Sequence, residues 1–209
     1  MKHSRALYVF GYGSLMWRPD FPYVWCKPAL ALGHSRKLCV WSSTYRGSPA
    51  RPGLVFGLDK TPGHAARGML FKVDARDRRK VIHYLFQREL IYPIYQPSRV
   101  IVEIGDKILP ALTFTVDRDD PAYAIEINRN VRRAAIASGA GRAGRSKDYL
   151  ANALLKLREL GVHEPELEAD LIAAQDLPDD PQLLFSLIDQ AMRRRLDLVF
   201  KPAHERPPV

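Results

Sequence analysis

Cysteine is scarce: Cys26 and Cys39 are the only two in 209 residues. Two thiols exclude a disulfide framework, and no Cys-x-x-Cys or Cys/His spacing offers a zinc site. A reducing compartment, the cytoplasm, is the expectation. The six histidines, His3, His34, His64, His83, His163 and His204, are scattered without metal-ligand spacing. No metal site is therefore expected. No apolar run reaches the roughly 18 residues of a membrane span. The short apolar stretch behind Met1-Lys2-His3-Ser4-Arg5 enters Gly11-Tyr12-Gly13 at once, so it reads as a first strand and not as a signal peptide. Internal repeats and a clear interdomain linker are also missing. The expectation is one domain over 1–200 and a loose Pro-rich tail over 201–209.

What the chain has in excess is positive charge, a net +9 at pH 7. The arginines are spread along the sequence, with no zinc finger, RNP signature or long basic tract. The charge reads as solubility or as attraction for small anions, and no nucleic-acid partner is expected. Hydrophobic residues at 46% allow a real core.

The first half reads as strands: Ala6–Gly11, Arg36–Trp41, Leu54–Leu58, Arg67–Val73, Arg99–Ile104 and Ile108–Val116. Each carries β-branched or aromatic residues and is bounded by Gly, Pro, Ser or Asp. Gly105-Asp106 predicts a hairpin turn. The second half reads as helices. Asp120-Pro121 has the form of a cap and first turn for a helix to about Ala137. Ser146 can cap a helix with Leu150, Leu154, Leu157 and Leu160 as its stripe, ended by Gly161. Asp180-Pro181 starts another, with Arg193-Arg194-Arg195 late in it. One helix, from about Ala75 to Leu90 with Asp74 as cap, interrupts the strands. Strands followed by helices give an α+β class.

Four features bear on chemistry. Gly11 and Gly13 in Phe10-Gly11-Tyr12-Gly13-Ser14-Leu15 permit a tight turn whose backbone N–H groups can hold a carboxylate; a plain strand-end turn accounts for them as well. No nucleophile elbow fits, because Tyr12 and Met16 flank Ser14 where that motif needs glycines. Glu89 follows Leu85 by four residues and Ile82 by seven, which sets its carboxylate on the apolar side of its helix. Such a group pairs with a cation, binds a proton, or serves as an acid/base. Gly139-Ala140-Gly141-Arg142-Ala143-Gly144 spells a dinucleotide fingerprint, but a helix and not a strand precedes it, so it reads as a helix–helix connection. Trp17, Trp25 and Trp41 read as core or rim residues.

These residues, in this order, resemble the ChaC-like, glutathione-specific γ-glutamylcyclotransferases over roughly residues 6 to 170. Tyr12-Gly13-Ser14-Leu15 with Trp17 is similar to the family's opening signature. Arg46-Gly47-Ser48-Pro49 and Pro52-Gly53 are similar to its Arg-Gly-Thr-Pro…Pro-Gly segment. Leu85-Phe86-Gln87-Arg88-Glu89 resembles its Leu-x-x-Arg-Glu stretch, Tyr95 stands six residues beyond Glu89 as the family's tyrosine does, and Pro121-Ala122-Tyr123 resembles its Asn-Pro-x-Tyr. Gly141, Gly144 and Tyr149-Leu150 follow in place. Ser48, Tyr92-Pro93-Ile94, Asp120 and Arg145-Ser146 depart from the family pattern.

The resemblance implies a partly closed mixed β-barrel with surrounding helices. It implies cleavage of glutathione to 5-oxoproline and Cys-Gly without metal or cofactor. Glu89 would be the acid/base, and Tyr12, Gly13, Ser14 and Leu15 the substrate cradle. Tyr95 and Tyr123 would be pocket walls. Arg46 and Arg88 are candidates for a substrate carboxylate or for structural salt bridges. Another γ-glutamyl substrate, or a non-catalytic regulatory module, are the alternatives. A small-molecule partner is expected and no membrane; the oligomeric state is not implied.

Overall fold

The computed structural model describes residues 6–124 and 127–201. They fall into two compact units. The first holds the chain up to Lys37, Gly57–Asp117 and Lys156–Val162; the second holds Leu38–Phe56, Arg118–Leu155 and the chain from His163 on.

Five strands make a closed barrel: β1 (Leu7–Gly11), β2 (Trp25–Ser42), β3 (Gly53–Val73), β4 (Tyr95–Ile104) and β5 (Lys107–Val116), in the order β1-β3-β2-β4-β5. β1 and β3, β2 and β4, and β4 and β5 pair antiparallel, as for Leu7 opposite Val73 and Leu30 opposite Glu103. The ring is completed by β1 lying parallel to β5, with Val9 opposite Leu112. The α+β class and the mixed barrel are therefore as expected, with the ring complete. Val9, Phe10, Leu70, Phe71, Val100, Val102 and Phe114 are buried in this unit. Gly105 has φ 55° and leads the two-residue turn between β4 and β5, a backbone state that glycine adopts without steric cost.

Two strands are much longer than the sequence suggests. Leu54–Leu58 and Arg67–Val73 are parts of one strand, β3, that runs through Pro62-Gly63. Arg36–Trp41 is only the end of β2. Cross-strand pairs override the local turn signals: the Ser35 and Thr61 hydroxyls are 2.7 Å apart, and Lys37 meets the buried Asp59 at 2.6 Å.

The helix α1 spans Arg78–Glu89, three residues shorter at its start than Ala75. Asp74 caps a preceding turn instead, accepting from the Arg76 N–H. Val81 and Leu85 are its buried residues, while Phe86 is exposed.

In the second unit the helix expected from Asp120 starts later. Asp120 accepts from the Ala122 N–H, and Tyr123 then makes a β-bridge with Val40. That bridge holds the backbone extended, so α2 begins at Arg129 and is capped by Asn128, whose side chain accepts from Val131. Residues 125 and 126 of the expected helix lie outside the described residues. The glycine-rich connection is a small ribbon, β6 (Ala140–Gly141) with β7 (Gly144–Arg145). A side chain on Gly141 would collide with the carbonyls of Thr44 and Gly47, so this glycine serves close packing.

Next comes α3 (Ser146–Glu159). Ser146 is the first residue of this helix. Its hydroxyl donates to the Leu54 carbonyl and accepts from the Leu54 N–H. Beyond the helix the Gly161 and Val162 N–H groups close back on Arg158 and Leu157. The sequence reading had no helix at α4 (Pro165–Gln175). The single helix expected after Asp180 is two, α5 (Pro181–Leu187) and α6 (Gln190–Phe200), because Asp189 caps a new start by accepting from Met192. Arg193-Arg194-Arg195 consequently sits near the start of α6, not late in a long helix. Of the expected tail, residues 202–209 lie outside the described residues, as do His3 and His204.

Asp170 on α4 is fully buried and accepts from Arg132 Nε at 2.6 Å and Arg133 Nε at 2.7 Å on α2. Removing it leaves clustered cations without their counter-charge. Asp170→Ala is expected to cost about 3 kcal/mol, and urea unfolding followed by far-UV circular dichroism measures it.

Candidate functional site

The end of β1 is fixed before the turn begins. The Thr113 hydroxyl on β5 donates to the Phe10 carbonyl at 2.8 Å. A side chain on Gly11 would sit 2.8 Å from the Leu15 Cβ, so only glycine lets the chain fold back here. The Tyr12 hydroxyl donates to the Phe114 carbonyl at 2.8 Å. Ser14–Met16 then makes one 3-10 turn: Met16 N–H donates to Gly13 O at 2.9 Å, and Arg18 N–H to Ser14 O at 2.8 Å. Leu15 and Met16 are buried beneath it. The tight turn expected from the two glycines is thus the geometry of residues 11–17.

Arg88, in the last turn of α1, meets this turn from the other side. Its Nη2 donates to Ser14 Oγ at 2.9 Å. Its Nη1 donates to the Arg18 carbonyl and to the Tyr84 hydroxyl, both at 2.8 Å. Its Nε lies 3.2 Å from Glu89 Oε1, and Asp20 is 3.6 Å from Nη1. Arg88 therefore makes the salt bridges that were one of its two expected roles. Tyr84 and the Phe114 carbonyl were not singled out from the sequence. Tyr84 had a usable signal, since it precedes Arg88 by one helical repeat of four residues; a backbone carbonyl leaves none.

Glu89 closes α1 with 19% of its side chain exposed. Burial pushes its carboxyl above the ordinary range, and the nearby Arg88 cation only partly offsets this. The carboxylate is thus both desolvated and paired. Tyr95 is buried at the start of β4, edge-on to Tyr92 with ring centroids 6.2 Å apart.

Arg46 and Tyr123 belong to the second unit. The Arg46 N–H donates to Ser42 Oγ at 2.9 Å, and its guanidinium lies 5.7 Å from the centre of the Tyr149 ring. Tyr123 is buried, and its carbonyl accepts from Arg195. No group of three or more His, Cys, Asp or Glu able to hold a metal occurs among the described residues. None of the described helices is long and apolar enough to cross a membrane.

The fold has solved counterparts. A yeast γ-glutamyl cyclotransferase specific to glutathione superposes with a TM-score of 0.72, covering 81% of this chain and 96% of that one at 21% identity. At that identity the likeness concerns the fold. The family is shown by sequence: the model described as "ChaC-like protein" matches residues 7–174, and the chain belongs to that family. It is similar to human "Glutathione-specific gamma-glutamylcyclotransferase 1", 30% identical over 149 residues, which cover 70% of this chain and 67% of that protein. It is also similar to the Escherichia coli K12 "Glutathione-specific gamma-glutamylcyclotransferase", 26% identical over 172 residues, 82% of this chain and 74% of that one.

The raised carboxyl of Glu89 has a consequence for stability. A folded-state pKa above the unfolded one gives stability that is full below the unfolded value, about 4.3, and is lost as pH rises through the folded one. Glu89→Gln removes that loss. Relative to wild type, the variant is expected to gain stability between pH 4 and pH 8, measured as the difference in urea midpoints across that range.

Proposed function

We propose that this protein is a γ-glutamylcyclotransferase that splits glutathione into 5-oxoproline and Cys-Gly. The observation that carries the reading is a desolvated carboxylate, Glu89, linked through Arg88 to Ser14 of the Tyr-Gly-Ser-Leu turn. The glutathione-specific names of its similar proteins supply the substrate.

The reaction needs no protein nucleophile. The substrate's own α-amine attacks its γ-carbonyl carbon. A new C–N bond closes a five-membered ring, and the amide bond to the cysteinyl nitrogen breaks. The α-nitrogen goes from ammonium to lactam N–H and gives up two protons, the cysteinyl nitrogen goes from amide N–H to ammonium and takes up two, and no water is consumed. Holding amine and carbonyl in register is worth roughly 7–11 kcal/mol of barrier in favourable cases. A buried carboxylate with a raised pKa suits the proton transfers, because it can accept from the ammonium and return the proton to the leaving nitrogen. In this reading Glu89 is the acid/base. The backbone of Tyr12, Gly13, Ser14 and Leu15 holds the γ-glutamyl group, and N–H groups of the turn face the developing oxyanion.

Tyr95 serves as a pocket wall in the same proposal. Arg46 and Tyr123 enter it as substrate contacts on the strength of their motifs. Cys26 and Cys39 are not joined in a disulfide, which suits a cytoplasmic location.

Purified protein should release 5-oxoproline and Cys-Gly from glutathione in equal amounts. Glu89→Gln should lower kcat by about 10²–10⁴-fold while glutathione still binds. Calorimetric titration and 5-oxoproline release measure the two quantities. Near-wild-type turnover by Glu89→Gln would remove Glu89 from this role. Turnover of γ-glutamyl dipeptides or γ-glutamylamines with no turnover of glutathione would move the protein to another substrate of the class.

A further inference from the structure

Arg88 occupies an unusual place between two parts of the proposed site. It adjoins Glu89 in the chain, yet its guanidinium is directed across to the turn that follows β1. Only 17% of its side chain is exposed. Its Nη2 holds the Ser14 hydroxyl, its Nη1 holds the Arg18 carbonyl at the end of the same turn, and its Nε faces the Glu89 carboxylate. The Tyr84 hydroxyl, one helical turn back, accepts from Nη1 and limits rotation of the group. Asp20 stands at 3.6 Å and balances part of the charge.

A guanidinium is planar and rigid, with donors in a fixed fork. Groups bound to its different nitrogens are therefore held in register with one another. At the far end of the turn, Tyr12 is fastened to Phe114 independently of Arg88. The Ser14 end has Arg88 as a side-chain anchor. A structural salt bridge alone needs only the carboxylates of Glu89 and Asp20; it does not need the contacts to Ser14 and Arg18.

We infer that Arg88 is a positioning residue for the reaction, setting the Ser14 end of the cradle in register with the Glu89 carboxylate. The inference rests on the γ-glutamylcyclotransferase reading. It adds that base and cradle are located by one side chain, so neither is placed correctly without it. Because the misplacement is felt where the substrate amine, γ-carbonyl and Glu89 must meet, its cost falls on kcat more than on KM. A shift of about 1 Å in such a site costs on the order of 10²-fold.

The experiment measures kcat and KM for 5-oxoproline release from glutathione by wild type, Glu89→Gln, Arg88→Ala, Arg88→Lys, Ser14→Ala and the Arg88→Lys/Ser14→Ala double variant. Circular dichroism checks the fold of each. Arg88→Ala and Arg88→Lys are expected to lose about 10²-fold in kcat with KM changed less than threefold. Lysine keeps the charge but cannot span Ser14, Arg18 and Glu89 together. The double variant should lose no more than Arg88→Lys alone, since the serine contact is already broken. Guanidinium ion added at millimolar concentration should restore part of the turnover of Arg88→Ala, and methylammonium should restore less.

If Arg88→Ala does not fold, Arg88→Lys and its double variant carry the test. Wild-type kcat in Arg88→Lys overturns the inference, as do losses that multiply in the double variant. An active wild type with an inactive Glu89→Gln keeps the function reading intact in either event. A wild type that releases no 5-oxoproline from any γ-glutamyl compound overturns both.

Discussion

Strand β1 lies parallel to β5, and two hydroxyl groups stitch the pair together beyond its single point of register at Val9 and Leu112. Thr113 donates to the carbonyl of Phe10, and Tyr12 donates to the carbonyl of Phe114. Parallel neighbours share a direction, so the chain leaves β1 alongside the last residues of β5. That contact completes the ring and also decides where the Tyr12–Leu15 turn stands. The hydrogen bonds are buried, where an unmet carbonyl is costly, so the arrangement is specified and not merely permitted. Opposite this fixed edge, α1 brings Arg88 and Glu89 to the same turn.

The placement of Glu89 shows how a modest pattern carries chemical meaning. Its position after Leu85 puts it on the side of α1 that packs inward. Its carboxyl is pushed up by burial, and Arg88 pulls it back only in part. An exposed glutamate would remain charged at neutral pH and would return a proton poorly. An isolated buried one would hold its proton too firmly. In this protein burial and the neighbouring guanidinium act on the carboxyl in opposite directions.

Much of the barrel was legible because its strands carry β-branched and aromatic residues and are bounded by turn residues. The Gly105-Asp106 hairpin is the clearest case. The long strands were not legible, since Pro62-Gly63 is a turn signal by local rules. Partners distant in sequence, such as Thr61 with Ser35 and Asp59 with Lys37, decide the matter instead. Caps gave mixed guidance for a similar reason. Asp120-Pro121 has the composition of a helix start, but the bridge from Tyr123 to Val40 takes the backbone elsewhere, and Asn128 does the capping. At the candidate site, Glu89 and the Tyr-Gly-Ser-Leu turn could be read from spacing and motif. The link between them could not, because a guanidinium that reaches from residue 88 to residue 14 leaves no local trace.

The bond from Tyr12 to Phe114 spans 102 positions of the chain. Closing so wide a loop is entropically costly, and chains dominated by such contacts fold slowly. During synthesis the Tyr12 turn precedes β5 by about a hundred residues and lacks the Phe114 carbonyl until β5 has left the ribosome. The Tyr12–Leu15 turn therefore gains this anchor only after β5 has been made. A partly synthesised chain carries the Tyr-Gly-Ser-Leu sequence without this anchor, which ties the geometry of the turn to completion of the ring.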